Sequence, residues 1–471
     1  MQFTSFTFAI FFLIFICLYH LASSSKKNLQ QILLLGANFI FYAFADFRFL
    51  PFLIYAIFAS YLESFVLSKR KNKILLAISI FALFIPLLFF KYIPKDYHKN
   101  IIFPLGLSFF TFQSISYVVD VYKGKITAKS LFKTALFISF FPCITSGPIQ
   151  RANNLFPQLE KIHCFDYDNA TDGLKLFAWG LFKKLCIADR IALYVNFVYA
   201  DIGNMSAFAL LMATILYSFQ IYTDFSGYSD MATGIAKYLG FDIGKNFDHP
   251  YLSSSVGGFW RKWHISLSSW LKDYVYIPLG GSRVSLPRVY FNLLATFLVS
   301  GVWHGAGWTF VVWGLIHGAL QCVERGTKDF QAKVPKQIKI AITFILVSFA
   351  WIFFRASSLS DALAVLKGIS HLPADAIIFF QLKNAIGLKE AIRTAFALTD
   401  DSFGGFTGMA KLMLSFVLFV CIELATLKTN GLELIKQKPL IVRWIGYYLF
   451  ILAIYLFSST GLSSNFIYNR F

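Results

Sequence analysis

The sequence has few charged residues, and few of these are acidic. Of its 471 residues only 14% are charged, and Asp and Glu number 24 against 43 Lys and Arg. A soluble globular domain carries about 25% charged residues. Because 57% of the residues are hydrophobic, the composition excludes an ordinary soluble enzyme and predicts an integral membrane protein.

Cysteine pairs and several catalytic motifs are also missing. The six cysteines form no Cys-x-x-Cys pair, so neither a zinc ribbon nor a disulfide framework is predicted. The His-Glu-x-x-His zinc helix, the Gly-x-x-x-x-Gly-Lys-Ser/Thr phosphate loop and the Gly-x-Ser-x-Gly nucleophile elbow are absent. We therefore expect no tightly bound metal and no nucleotide hydrolysis. Without an elbow serine, an acyl transfer would be direct or would use a covalent intermediate on another protein.

The basic balance of the chain, a net charge of +19, does not indicate a nucleic-acid partner in this setting. In multi-pass membrane proteins Lys and Arg collect in cytoplasmic loops and face anionic lipid. The lipid bilayer is therefore the expected partner. Part of the basic surface could also attract an anionic acyl donor such as a coenzyme A thioester.

Apolar runs recur along the whole chain with basic residues between them. A spanning helix needs roughly 20 apolar residues, and several runs are shorter, so we predict about eleven crossings with re-entrant or broken segments. The first run has no basic region before it and no clear cleavage site, so we expect a retained helix rather than a signal peptide. The runs lie at about 5–22, 30–46, 49–67, 74–91, 101–121, 134–149, 205–222, 288–303, 308–323, 338–354, 409–427 and 444–460.

Lys and Arg predict the orientation of these helices. Basic loops at Lys26–Lys27, Lys69–Lys73 and Lys123–Lys129 are separated by two spans each. The positive-inside rule places them on the cytoplasmic side and the N-terminus outside. The basic loop Arg325–Lys339 is predicted to be cytoplasmic as well.

Two segments are predicted to lie at the membrane surface. The segment 172–198 interleaves basic and apolar residues, which suits a helix in the interface or beside a cytoplasmic opening. A solvated face on a membrane-edge helix is the alternative. The segment 356–408, with Gly404 and Gly405, is predicted to face outward and to hold amphipathic helices.

The region about 217–283 is unusually polar and rich in glycine. Non-helical backbone at membrane depth persists only where protein or a water-filled cavity surrounds it. We therefore expect this region to form the floor and wall of a cavity, with Asp224 and Asp273 among the pocket residues. An ordinary surface loop is the alternative.

His264 is the first of two candidate catalytic histidines. It follows Trp260, Arg261 and Trp263, and positions 260 and 264 would share a face if the segment were one helix. A purely structural hydrogen bond would explain His264. A catalytic reading is that it orients substrate or stabilises developing charge, with the three neighbouring residues shaping the pocket.

His304 is the second candidate, forty residues later. It ends a predicted helix and precedes glycines, which let other groups approach the backbone closely. A neutral imidazole here could take a proton from an attacking hydroxyl as a general base, with Trp303 and Trp308 as pocket walls. A structural histidine is the alternative. His317, near a predicted helix end, is expected to be interfacial.

Motifs across most of the chain resemble those of the membrane-bound O-acyltransferases. They are specific for the bacterial branch that includes alginate O-acetylase and peptidoglycan O-acetyltransferase membrane subunits. Tyr276–Gly281 and the long portion beyond Arg325 favour this branch over teichoic-acid D-alanyl transferases. The motifs are Pro104–Gln113, Tyr117–Tyr122, Tyr222–Gly227, Phe259–Ser268, Tyr276–Arg283, Val302–Gly305 and Trp351–Ala356.

The resemblance implies an all-α, polytopic fold with a buried tunnel or funnel, His304 as the essential histidine and His264 as a second characteristic polar position. It also implies that acyl groups from a cytoplasmic donor, expected to be acetyl-CoA, pass outward to an envelope polysaccharide. A periplasmic SGNH-type acetyltransferase is the expected partner, and the bacterial cytoplasmic (inner) membrane is the expected location.

Domain organisation and two alternative functions complete the predictions. One integrated membrane domain is expected, with N-terminal helices at 1–100, a core with both histidines at 101–325 and C-terminal helices at 326–471. The first alternative is a D-alanyl or other acyl transferase that uses a carrier-protein thioester. The second is a transporter or flippase, which broken helices and histidines at mid-membrane would also suit, although no inverted repeat is evident.

Overall fold

The computed structural model describes residues 1–23, 27–93, 103–399, 403, 405–427, 429 and 431–458. Within these ranges the chain is helical and has no β-strand. The prediction of an all-α protein is therefore confirmed. Two residues named in the topology prediction, Lys26 and Gly404, lie outside the described residues.

The chain divides into two compact units. The first comprises Met1–Gly180, Tyr228–Asn246 and His264–Trp270, and the second comprises Leu181–Gly227, Phe247–Trp263 and Leu271–Phe471. Two of the boundaries, after Gly180 and after Gly227, fall within helices. The prediction of a single integrated membrane domain stays a prediction.

The first unit begins with nine helices. Asn38 connects two consecutive helices, Leu131–Ser139 and Phe141–Ile144, at the sharp turn between them. Its amide donates to Ser139 Oγ at 3.2 Å and accepts from the Phe141 N–H at 3.0 Å. The helices are α1 (Phe6–Ser23), α2 (Lys27–Ala43), α3 (Leu50–Lys69), α4 (Lys73–Tyr92), α5 (Leu107–Tyr122), α6 (Leu131–Ser139), α7 (Phe141–Ile144), α8 (Ala152–Leu159) and α9 (Tyr167–Phe182).

The remaining helices lie mostly in the second unit. A π-helical turn, Lys183–Ala188, joins α9 to α10, and a second π turn, Lys272–Tyr276, follows α13. The helices are α10 (Asp189–Ala200), α11 (Ala207–Tyr238), α12 (Val256–Lys262), α13 (Ile265–Leu271), α14 (Leu286–His304), α15 (Trp308–Gly326), α16 (Lys328–Ala332), α17 (Lys336–Arg355), α18 (Leu359–Ser370), α19 (Leu372–Ile386), α20 (Leu388–Ala395), α21 (Gly405–Ala425), α22 (Gly431–Lys436) and α23 (Leu440–Phe457).

Six helices among the described residues are long and apolar enough to cross a membrane, and the pair α18–α19, bent by 55°, would make a seventh. A multi-pass membrane protein is therefore confirmed, whereas the count of about eleven crossings is not. The helices α14 and α15, each predicted as a span, are not among the six. The six are Phe47–Lys69, Lys73–Tyr92, Ala207–Tyr238, Lys336–Arg355, Thr407–Ala425 and Leu440–Phe457.

The long helix α11 corrects the prediction of non-helical backbone after residue 222. It continues without a break to Tyr238, and its Gly234 serves close packing instead. A β-carbon on Gly234 would lie 2.7 Å from the backbone nitrogen of Phe177, and one on Gly173 would lie 2.8 Å from that of Tyr238. Only glycine allows α9 and α11 to approach backbone to backbone at this point.

The segment 172–198 is not an evenly solvated face. It forms the end of α9, the π turn and most of α10, and the side chains of Lys183 and Lys184 are buried, at 3% and 5% exposure. The predicted solvated face is therefore wrong for these two lysines, because internal partners replace the water. The position of the segment in the membrane interface or beside a cytoplasmic opening stays a prediction. The membrane sides predicted from Lys and Arg stay predictions.

Candidate active site

A close-packed hairpin of α14 and α15 positions His304. The helix α14 ends at His304, and α15 begins four residues later. A β-carbon on Gly301 would lie 3.5 Å from the Cα of Gly314 and would overlap the carbonyl group of Phe310. Since only glycine fits, the two helices touch through their backbones, and the end of α14 is held against α15.

His304 is buried, at 3% exposure, and aromatic rings surround it. Its imidazole meets the rings of Trp303, Trp313 and Phe354 edge to face, with centroids 4.7, 5.0 and 5.2 Å away. Such contacts fix the orientation of a ring and exclude bulk water. Trp303, predicted as a pocket wall, is therefore in direct contact with the candidate base.

These rings belong to a larger group, here called the aromatic cluster, which consists of Trp260, Trp263, Trp303, His304, Trp313, His317, Trp351 and Phe354. Within it, the Trp260 ring lies 5.7 Å from that of Trp313, and the Trp263 ring lies 5.1 Å from that of Trp351. The structure thus brings four predicted site residues together in the second unit: Trp260, Trp263, Trp303 and His304.

His317 corrects the prediction of a histidine near a helix end. It lies in the middle of α15 and is fully buried, and its Nδ1 accepts a hydrogen bond of 3.2 Å from the Trp260 indole N–H. The prediction was wrong because α15 continues to Gly326, so His317 is far from the helix end. The spacing of Trp313 and His317, four residues apart, was the signal that both would face the core.

Four predicted pocket residues lie outside the aromatic cluster: Trp308, Arg261, Asp273 and Asp224, the last of which belongs to the ion cluster described below. Trp308, in the first turn of α15, is 73% exposed and does not enclose His304. Arg261 is exposed on α12, and Asp273 is half-buried in the second π turn. Their pocket roles stay predictions.

His264 sits between two helices rather than on one. The helix α12 ends at Lys262, and the backbone φ of His264 is 44°, so the predicted shared face with Trp260 is wrong. A positive φ is uncommon for a residue with a β-carbon and persists only where the surroundings hold it. His264 therefore occupies a strained corner, which is a feature of functional sites.

Asn246 holds His264 in this corner. The backbone N–H of Ser266 donates to Asn246 Oδ1 at 3.1 Å, which identifies that atom as the oxygen. Because His264 Nδ1 lies 3.2 Å from the same oxygen, Nδ1 carries the proton and Nε2 presents its lone pair. Burial lowers the pKa of His264 to about 3, so the ring is neutral at pH 7. Phe109 stacks on it with centroids 6.1 Å apart.

Asp224 belongs to a buried ion cluster with Lys184 and Asp189. Lys184 Nζ lies 2.7 Å from a carboxylate oxygen of each aspartate. The π turn produces part of this arrangement, because its i→i+5 hydrogen bond stacks position 189 over position 184. Burial lowers the pKa of Lys184, but the two carboxylates outweigh burial and raise it, so Lys184 is charged. The neighbouring Lys183 donates to Ser226 Oγ at 2.9 Å.

A contact between a histidine and a carboxylate was not foreseen from the sequence. Glu423 Oε2 on α21 lies 2.8 Å from His249 Nδ1 and accepts from the Tyr222 hydroxyl at 3.1 Å. The hydrogen bond to Glu423 raises the pKa of His249. His249 also has a positive φ, of 45°. A sequence pattern could not reveal this pair because its members are 174 positions apart.

Comparison with known proteins gives a consistent family signal. The model of the membrane-bound O-acyltransferase family matches residues 114–360, which include both candidate histidines. The chain is 36% identical to the peptidoglycan O-acetyltransferase of Helicobacter pylori over 403 residues, covering 75% of this chain and 76% of that protein.

Two further relatives cover a range of similarity. The protein named "Probable alginate O-acetylase AlgI" of Azotobacter vinelandii is 36% identical over 387 residues, with 77% of this chain and 76% of that protein covered. The teichoic acid D-alanyltransferase of Bacillus subtilis is more distant, 28% identical over 283 residues, with 55% of this chain and 71% of that protein covered.

Proposed function

The chain belongs to the membrane-bound O-acyltransferase family, and on this premise we propose that it is the membrane subunit of an envelope O-acetyltransferase. It is a multi-pass membrane acyltransferase. The proposal adds four elements: acetyl-CoA in the cytoplasm as the acetyl donor, an envelope polysaccharide as the final acceptor, a periplasmic partner protein, and the bacterial inner membrane as the location.

The observation that carries the proposal is the enclosure of His304. The imidazole ends α14 inside the region that matches the family, and Trp303, Trp313 and Phe354 enclose it. A buried, oriented imidazole is suited to general base catalysis. His264, neutral and held by Asn246, is proposed to take the second role, that of orienting substrate or stabilising charge.

The proposed chemistry is a balanced acyl transfer. His304 removes the proton from an acceptor hydroxyl while the hydroxyl oxygen attacks the acetyl carbonyl carbon of the thioester. The bond from that carbon to sulfur breaks, and the departing thiolate takes the proton from the imidazolium. The product is an acetyl ester, and His304 is neutral again.

A periplasmic partner of the SGNH acetyltransferase type is part of the proposal. The chain contains no Gly-x-Ser-x-Gly elbow, so the transfer is either direct or uses a covalent acetyl intermediate on another protein, and the proposal takes the second route. The named activities of two relatives support peptidoglycan or an alginate-like exopolysaccharide as the polymer. Full activity of the purified single chain with acetyl-CoA and glycan would contradict the requirement for a partner.

The experiment that tests the function is deletion of the gene followed by chemical analysis of the envelope. Ester-linked acetate is measured by mass spectrometry on each purified envelope polymer, with the deletion strain complemented by the wild-type gene as control. Loss of acetate from one polymer, restored by complementation, supports the proposal and identifies the acceptor. Unchanged acetate on every polymer contradicts it.

D-alanyl transfer to teichoic acid is the second candidate function. The similarity to the Bacillus subtilis enzyme favours it, although the identity is lower than to the two acetyltransferase relatives. Measuring ester-linked D-alanine in the same deletion strain separates the two functions. The transporter alternative is set aside, because the family is one of acyltransferases.

A further inference from the structure

Two buried N–H groups of the aromatic cluster, that of Nε2 in His317 and that of Nε1 in Trp313, have no acceptor among the described residues. We propose that these two groups bind the carbonyl oxygen of the acyl group during transfer. This inference rests on the proposed function, because it needs an acyl thioester in the site.

The hydrogen bond from Trp260 establishes that His317 is a donor. An indole N–H can only donate, so His317 Nδ1, which lies 3.2 Å from it, must present a lone pair. The neutral imidazole then carries its proton on Nε2. That nitrogen is inaccessible to solvent and faces no acceptor in the described part of the chain.

Trp313 supplies the second donor next to the candidate base. Trp313 and His317 are four residues apart on α15, so they share one face of the helix, and their ring centroids are 5.1 Å apart. The Trp313 ring also lies 5.0 Å from that of His304. The two donors and the base therefore belong to one continuous set of ring contacts.

Unsatisfied donors of this kind require an explanation, because buried polar groups in native proteins are nearly always hydrogen-bonded. Both groups can only donate, so the missing group is a hydrogen-bond acceptor. A carbonyl oxygen has two lone pairs and meets this requirement. The surrounding aromatic rings suit a small acyl chain better than a sugar with several hydroxyls.

The chemistry gives these donors a function in the reaction. When the acceptor oxygen attacks, negative charge develops on the carbonyl oxygen, and donors fixed in a water-excluded site stabilise it. Removing one such donor lowers kcat by about 10²–10³-fold in other enzymes. The effect falls on kcat more than on KM, because the interaction strengthens in the transition state.

Two substitutions of His317 separate its two nitrogens. In His317→Asn an amide oxygen near the former Nδ1 can still accept from Trp260, but the Nε2 donor is lost. In His317→Gln an amide nitrogen lies near the former Nε2, so a donor is retained. Trp313→Phe removes the indole N–H and keeps an aromatic ring. Trp444→Phe, on an exposed face of α23, is the matched control.

The assay uses the full chain in membranes of a deletion strain, with its native partners present. The initial rate of acetyl transfer from labelled acetyl-CoA into envelope polymer is divided by the amount of chain, and thermal stability in detergent is measured in parallel. We expect His317→Asn and Trp313→Phe to lower kcat by about 10²–10³-fold at unchanged stability. His317→Gln is expected to recover part of the rate, and Trp444→Phe to match the wild type.

Three outcomes would overturn the inference. The first is wild-type kcat in His317→Asn, and the second is an equal loss in the Asn and Gln variants together with lower thermal stability. If wild-type membranes transfer D-alanyl instead of acetyl groups, the proposed function fails, and the same variants assayed with the D-alanyl donor decide this inference. The third outcome is the absence of any acyl transfer by the wild type, which overturns the proposed function and this inference together.

Discussion

Gly314 of α15 lies against Gly301 of α14 so closely that a β-carbon on Gly314 would be 3.3 Å from the Cα of Gly301 and would overlap the carbonyl group of Phe297. The hairpin that carries the candidate base at its turn is therefore assembled backbone to backbone. The side chains of the aromatic cluster keep their packing only while α14 and α15 remain this close to each other.

Gly314→Ala is expected to destabilise the hairpin. Forcing a methyl group into a packed contact costs typically 1–3 kcal/mol, about the magnitude seen for overpacked cores, and the helices must move apart. The measurement is the thermal midpoint and abundance of the purified chain. Gly446→Ala on α23 is the control, because a β-carbon there meets nothing within 4 Å; equal behaviour of the two variants would contradict the prediction.

His304→Ala is expected to abolish most transfer without loss of abundance. Loss of a general base lowers the rate by about 10²–10⁴-fold. His264→Ala should also impair transfer, to a smaller extent, and Trp308→Phe should change it least, because Trp308 is exposed. Envelope acetate is normalised to the amount of chain in the membrane. Near-normal acetate with His304→Ala would leave the catalytic assignment without support.

His249 and Glu423 should make stability depend on pH. The hydrogen bond to Glu423 raises the pKa of His249, burial opposes this, nearby Asp248 adds to the rise and Lys262 opposes it. A raised folded-state pKa contributes stability that is complete below the unfolded value of about 6.5 and is lost as the pH rises through the folded pKa.

The expected result is a wild-type thermal midpoint that falls, relative to that of Glu423→Gln, as the pH increases above about 6.5. His249→Gln should show the same flattened dependence as Glu423→Gln, since either change removes the charged pair. Parallel profiles of the wild type and both variants would show that the contact does not titrate in this range.

Lys184→Met is expected to be strongly destabilising. Removing Lys184 takes away a cation that contacts both buried carboxylates, and breaking a buried ion pair on one side costs about 3–5 kcal/mol. Adding Asp224→Asn to Lys184→Met should recover part of the loss, because one of the two carboxylates is then neutral. Thermal midpoints of the single and double variants test this, and strict additivity of the two effects would contradict it.

The predicted orientation is tested at the two ends of α17. In a background without the native cysteines, Lys333→Cys is predicted to be cytoplasmic and Ser357→Cys to be outside, and both positions are exposed. An impermeant maleimide should label Ser357→Cys in intact cells and Lys333→Cys only after lysis. The reverse pattern would invert the topology, and labelling of both in intact cells would exclude α17 as a span.

Hydropathy alone predicted several of the long apolar helices. The runs at 74–91 and 338–354 correspond to α4 and α17 within two residues, because an apolar environment selects one property along the whole helix. The same reasoning failed at α11. Its polar residues after position 222 indicated a break, yet Lys183 and Lys184 supply partners for Ser226 and Asp224, so the helix continues.

The candidate site was predictable to the extent that its residues lie close in the sequence. Trp303 beside His304 follows directly from the motif. Contacts that join distant segments were not predictable, such as Trp260 with His317 or His249 with Glu423, because one sequence carries no record of which helix faces meet. For the same reason His317, judged by its own segment alone, was assigned to the interface.

Arg190 on α10 donates to the backbone carbonyls of Phe457 and Ser458, at 2.6 and 2.9 Å, at the end of α23. These carbonyls have no partner within their own helix, so the guanidinium completes that helix end. The ribosome makes Arg190 more than 260 residues before its acceptors. During biosynthesis Arg190, which is largely buried in the finished fold, must therefore be solvated by water or lipid phosphate or bound by an insertion factor. The helix α10 reaches its final environment only after α23 has been translated.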